Sequence, residues 1–130
     1  KEEVDVPEKE ALRTEDYSRF EALAQQMDDF MKKERPYLNP DYRLSNLASH
    51  LGVSQSMISG LLKNYLHTSY YDYVNRYRLD EFKRMVADGT IKQFTIIAII
   101  EKCGFKKTAF FAAFRKLEGM TPTEYIRKHN

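Results

Sequence analysis

Apolar residues recur with a helical period along most of this chain, and glycine, proline or capping residues mark the breaks between runs. Residues 1–14 are polar, contain Pro7 and show little periodicity, so they are expected to form a flexible linker or arm. From Glu15 onward, Phe20, Leu23, Met27, Phe30 and Met31 fall three or four apart, which predicts an amphipathic helix within 15–36. Glu15 and Asp16 near its start and Lys32 and Lys33 near its end suit the helix dipole, and Arg35-Pro36 closes it. Asn39-Pro40-Asp41 reads as a turn. Leu44, Leu47, Ala48 and Leu51 then predict a short helix, capped by Ser45 or its neighbour and ended by Gly52. Val53 plugs the joint, and Ser54 is a good N-cap for a helix that buries Met57 or Ile58, Leu61 and Leu62. A long helix over about 69–88 has an apolar flank of Tyr70, Tyr73, Val74, Tyr77, Phe82, Met85 and Val86. Of the basic residues on it, Arg78 is placed to pair with nearby carboxylates. Thr95 caps the next helix, whose inner face is Ile96, Ile99 and Cys103; Gly104 makes its turn and Phe105 plugs the joint. Phe110, Phe114 and Leu117 anchor the helix that follows, which ends at Gly119. Thr121-Pro122 opens a last helix over 121–129, packed through Tyr125 and Ile126. The predicted fold is all-α.

The pattern repeats. Shifted by 52 positions, Leu44, Leu47, Gly52, Ile58, Leu62, Tyr73 and Val74 become Ile96, Ile99, Gly104, Phe110, Phe114, Tyr125 and Ile126. Each copy is a helix, a glycine turn and a second helix, the layout of a helix-turn-helix, whose second helix can enter a DNA major groove. Two copies are too few for a solenoid, so a duplicated module is the better account. The units span about 44–65 and 95–118, joined by the long linker helix. In the first, Gln55, Ser56, Ser59 and Lys63 lie opposite the apolar face and are the side chains expected to meet DNA. In the second, Lys106 and Lys107 open the helix, where their charge and the free backbone N–H groups suit phosphate. Arg115 and Lys116 are further backbone-contact candidates, whereas Phe111 and Ala112 offer at most apolar contact with a thymine methyl.

Charge supports the same division. Residues 1–34 hold 11 acidic and 6 basic side chains, while residues 35–130 hold 15 basic and 8 acidic, so the repeated part is the basic part. At 42% hydrophobic and 31% charged the 130 residues can build a core, and no run approaches a membrane span. The lone cysteine, Cys103, sits on an apolar face and reads as a small buried hydrophobe. His50, His67 and His129 lie far apart, with no metal-ligand spacing, phosphate-cradling loop or nucleophile motif, so neither enzyme, cofactor nor metal is expected.

The string from Gly104-Phe105 through Phe110, Phe114, Arg115-Lys116 and Gly119-Met120-Thr121-Pro122-Thr123-Glu124-Tyr125 resembles the C-terminal signature of AraC/XylS-type transcription regulators. The first module and Tyr77-Arg78-Leu79 look like the same family, so the resemblance covers most of a DNA-binding domain at 37–130. It implies seven helices, with two recognition helices entering successive major grooves. By similarity, the positions nearest the bases are Gln55, Ser56, Ser59 and Gly60, then Lys107, Thr108, Phe111 and Ala112. It further implies a bacterial, cytoplasmic regulator, most simply an activator touching RNA polymerase. The initial Lys is consistent with a sensor domain, or a membrane anchor, outside this chain. Gly60 stands where many relatives carry a long polar side chain, and Ile100 where alanine is usual. Base readout is therefore expected to be led by the first unit, and the second unit to be splayed or repacked. The alternative is a helical protein-interaction module of the same fold that has lost DNA binding.

Overall fold

A computed structural model describes residues 14–129, so the arm expected over 1–14 lies outside the described residues except for Thr14, the first residue of a helix. Regular structure among the described residues is entirely helical. Seven α-helices run in order: α1 Thr14–Glu34, α2 Leu44–Leu51, α3 Gln55–Asn64, α4 Tyr70–Ala87, α5 Ile96–Lys102, α6 Lys107–Glu118 and α7 Pro122–His129. Short 3-10 turns occupy Pro36–Leu38 and Thr90–Gln93. Two compact units result. One combines α1 and Arg35 with Arg43–Tyr70; the other combines Pro36–Tyr42 with the chain from Tyr71 onward.

In the first unit α1 turns Leu23, Met27 and Met31 into the core, beside Leu47 and Ala48 of α2 and Ile58, Leu61 and Leu62 of α3. The apolar spacing of α1 selects this face, and Arg35, at φ +52° ahead of Pro36, breaks the helix. Helix α2 begins two residues earlier than a Ser45 cap requires, because the Arg43 N–H donates to the Asn46 side chain at 2.8 Å. Gly52 ends α2 in the left-handed region at φ +69°, and Val53 N–H returns to the Ala48 carbonyl. Ser54 Oγ accepts the Met57 N–H at 3.0 Å and starts α3.

The second unit packs α4 to α7 around Leu79, Phe82, Met85, Val86, Ile99, Ile100, Cys103, Phe105, Phe110 and Phe114. The Phe82 ring lies 5.2 Å from Phe110 and 5.3 Å from Phe114, the latter edge-on, geometry that adds to simple burial. One expectation needs correction here. Ile96 is 42% exposed: it lies on the correct face of α5, but one turn before the part the cluster covers. Ile100 is 1% exposed and lies in the cluster, so the unit packs the bulkier residue into its core.

Gly104 has two reasons to be glycine. Its φ is +92°, and a Cβ there would overlap the Tyr37 carbonyl oxygen and stand 2.8 Å from Leu38 Cα. The Pro36–Tyr42 segment lies this close because Arg78 grips it. Arg78 Nε donates to the Tyr37 carbonyl at 2.7 Å and Nη2 to the Asn39 carbonyl at 3.0 Å, while Nη1 donates to Asn75 Oδ1 at 3.0 Å. Three guanidinium nitrogens thus hold two backbone carbonyls and one amide oxygen, a geometry a lysine cannot copy. Thr121 and Glu124 form a reciprocal capping box at the start of α7, with bonds of 2.9 and 3.1 Å.

Candidate nucleic-acid interface

Helix α3 separates its faces cleanly. Ile58, Leu61 and Leu62 are buried, and Gln55, Ser56, Ser59 and Lys63 are exposed on the other side. Those side chains supply an amide, two hydroxyls and an ammonium, so the face offers donors and acceptors suited to base edges and one cation for a phosphate. Gly60 differs from the other three base-contact candidates of α3. It is half-buried, and a Cβ on it would meet the tip of the Phe20 ring of α1 at 3.6 Å.

Helix α6 presents a different surface. Phe110 and Phe114 are fully buried, while Lys107, Thr108, Phe111 and Ala112 are exposed, Phe111 at 51%. The Phe111 ring meets Phe110 edge-on at 5.2 Å, so its inner edge is held and its outer face is free for apolar contact. The N-cap position is Lys106, whose side chain makes no cap bond, in contrast to Ser54 at the start of α3. The cap side chain therefore leaves the start of α6 uncovered, with Lys106 and Lys107 exposed there.

Two of the phosphate candidates already hold carboxylates. Lys106 Nζ lies 3.0 Å from Asp41, both well exposed, and Lys116 Nζ lies 3.0 Å from the half-buried Asp72. The exposed Lys106–Asp41 pair is worth about 0–1 kcal/mol, so a phosphate can replace that carboxylate. Lys63, Lys107 and Arg115 are exposed. The two acids were invisible to sequence reasoning, since each lies far along the chain from its lysine.

His50 packs on Phe30 at 5.2 Å, and His129 stacks on Tyr125 at 4.0 Å. Among the described residues no His, Cys, Asp and Glu cluster could hold a metal ion, and no helix is long and apolar enough to cross a membrane. Burial holds the Cys103 thiol up at about 12, so it is no nucleophile at neutral pH.

Residues 47–128 match the model of a helix-turn-helix domain family. The chain is similar to the probable transcriptional regulator LumQ of Photobacterium leiognathi, 32% identical over 90 residues that make up 68% of the chain. It is also similar to the regulatory protein PocR of Salmonella typhimurium, 31% identical over 108 residues, or 79% of the chain. The matched stretch amounts to 35% of the length of each relative. A solved structure of a Listeria innocua protein of unknown function shares the fold, with a TM-score of 0.66 at 20% identity over 82% of this chain and 97% of that one.

Proposed function

Because the chain belongs to the AraC-type helix-turn-helix family of transcription regulators, we propose that it binds duplex DNA sequence-specifically, with α3 and α6 as its two recognition helices. The observation that carries this reading is the outward face of α3, where Gln55, Ser56 and Ser59 stand exposed opposite a buried Ile58, Leu61 and Leu62. Gln55 is suited to a bidentate contact with adenine, and the two serines to single bonds with any base. Lys63, Lys106, Lys107, Arg115 and Lys116 neutralise phosphates. On α6, Thr108 supplies one hydroxyl, and Phe111 and Ala112 supply apolar contact to thymine methyls. The first helix therefore does most of the base reading, and the second adds backbone affinity and a T preference.

The two helices enter adjacent major grooves of one duplex, in the geometry a duplicated helix-turn-helix requires. In the full-length regulator this domain works beside a sensor domain and activates transcription by contact with RNA polymerase. The exposed Phe111 also fits a helical module that binds protein alone.

Salt separates the two readings. Anisotropy of a labelled duplex, titrated with the protein at rising salt, should give log affinity falling linearly with log salt. A contribution of about 0.9 to the slope is expected for each phosphate neutralised. Absent or salt-independent binding would refute the proposal.

A further inference from the structure

Helix α1 lies outside the family match, which begins at residue 47, yet it supplies Leu23, Met27 and Met31 to the core that holds the first helix-turn-helix. Its contacts reach both members of that motif. Phe30 packs on His50 at the end of α2, Tyr17 meets Tyr65 edge-on at 5.2 Å, and Phe20 lies 6.4 Å from the Tyr65 ring just past α3. The tip of Phe20 also covers Gly60. Gly60 is four residues from Ser56 and three from Lys63, so on a helix surface it borders both. The Phe20 ring therefore abuts the edge of the face that carries the reading side chains.

We infer that Phe20 is a positioning residue for base readout: by packing against Gly60 it sets the rotation of α3 about its own axis and so aims Gln55, Ser56 and Ser59. Ile58, Leu61 and Leu62 fix the buried face of α3, and the Phe20 ring bounds its roll at the flank, where reading side chains must be held to a fraction of an ångström. Gly60 is the complement of the ring. A side chain longer than alanine at this position must displace Phe20 or lean over Ser56 and Lys63. The specificity of the first unit then depends on a helix that precedes residues 47–128, the stretch matched by the family model. This inference rests on the proposal that α3 reads DNA.

The test measures the 130-residue chain against two duplexes, one selected from a randomised pool by the wild-type protein and one with the same bases scrambled. Thermal melting is followed alongside. Phe20→Ala should weaken binding to the selected duplex by about tenfold, the cost of roughly one spoiled base contact, and change binding to the scrambled duplex by less than about twofold. Phe20→Leu, which keeps apolar bulk, should retain most of the preference. Gly60→Leu, which adds no hydrogen-bonding group, should reproduce the loss from the other side of the contact. A folded Phe20→Ala variant with an unchanged preference overturns the inference. If that variant does not fold, an unchanged preference in Gly60→Leu overturns it instead. A wild-type protein that selects no sequence from the pool refutes the DNA-reading proposal itself, and this inference falls with it.

Discussion

Replacing Gly104 by alanine should damage this protein far more than the same change at Gly52, although both glycines end the first helix of a helix-turn-helix. Gly52 has φ +69° with no atom within 4 Å of a new Cβ, so alanine there costs about 1 kcal/mol of left-handed strain. Gly104 has φ +92°, and its new methyl would overlap the Tyr37 carbonyl and crowd Leu38 Cα at 2.8 Å. The segment cannot retreat freely, because Arg78 holds the Tyr37 and Asn39 carbonyls at 2.7 and 3.0 Å. Strain of about 1–2 kcal/mol, overpacking of about 1–3 and a weakened charged hydrogen bond of about 1.5 bring the total to roughly 5 kcal/mol. That is a large share of the roughly 5–15 kcal/mol that holds a typical domain together. Urea denaturation followed by far-ultraviolet circular dichroism measures both variants. Equal losses at the two sites would refute the claim that close approach at Gly104, beyond its backbone angle, dictates the residue.

Other outcomes follow from the same contacts. Lys107→Ala should weaken binding to all duplexes about equally and lower the salt slope by about one, while Gln55→Ala should change base preference at one or two positions, a contrast read by anisotropy on paired duplexes. Asp41→Asn and Asp72→Asn should each tighten duplex binding, since Lys106 and Lys116 no longer have a carboxylate to exchange for phosphate; unchanged affinity would count against those lysines as phosphate ligands. Burial raises the Cys103 thiol from 9.0 to about 12, so above pH 9 the unfolded chain gives up this proton before the folded one does. Stability should then fall with rising pH by up to about 1.4 kcal/mol per unit from this group, and Cys103→Val should reduce that slope in urea melts between pH 8 and about 11.

Features written in neighbouring residues could be read from the sequence, because each is decided within one turn of chain. Ser54 and Thr95 do accept the N–H groups three residues on, Gly52 and Gly104 do adopt positive φ, and the chain is all-α. Cys103 lies fully buried on the apolar side of its helix. Contacts between distant segments left no local mark. The carbonyls gripped by Arg78, the Asp41 carboxylate on Lys106 and the Phe20 ring over Gly60 all join residues remote in sequence. Ile96 shows a related limit. Helical spacing assigns a residue to a face, but only the neighbouring elements decide where along that face the cover ends. At the candidate interface, residue type showed which side chains have hydrogen-bonding groups, whereas the packing of α1 beside Gly60 emerged only in three dimensions.

On the proposed function, one chain reads one duplex with two helices of unequal discrimination. Selection from a duplex pool with a randomised core, followed by sequencing of the bound fraction, tests it most directly. Two conserved blocks are expected about one helical turn apart, roughly 10 base pairs centre to centre, with the sharper block altered by Gln55→Ala and the weaker, T-rich block altered by Phe111→Ala. A single conserved block, or two of equal sharpness, would contradict it.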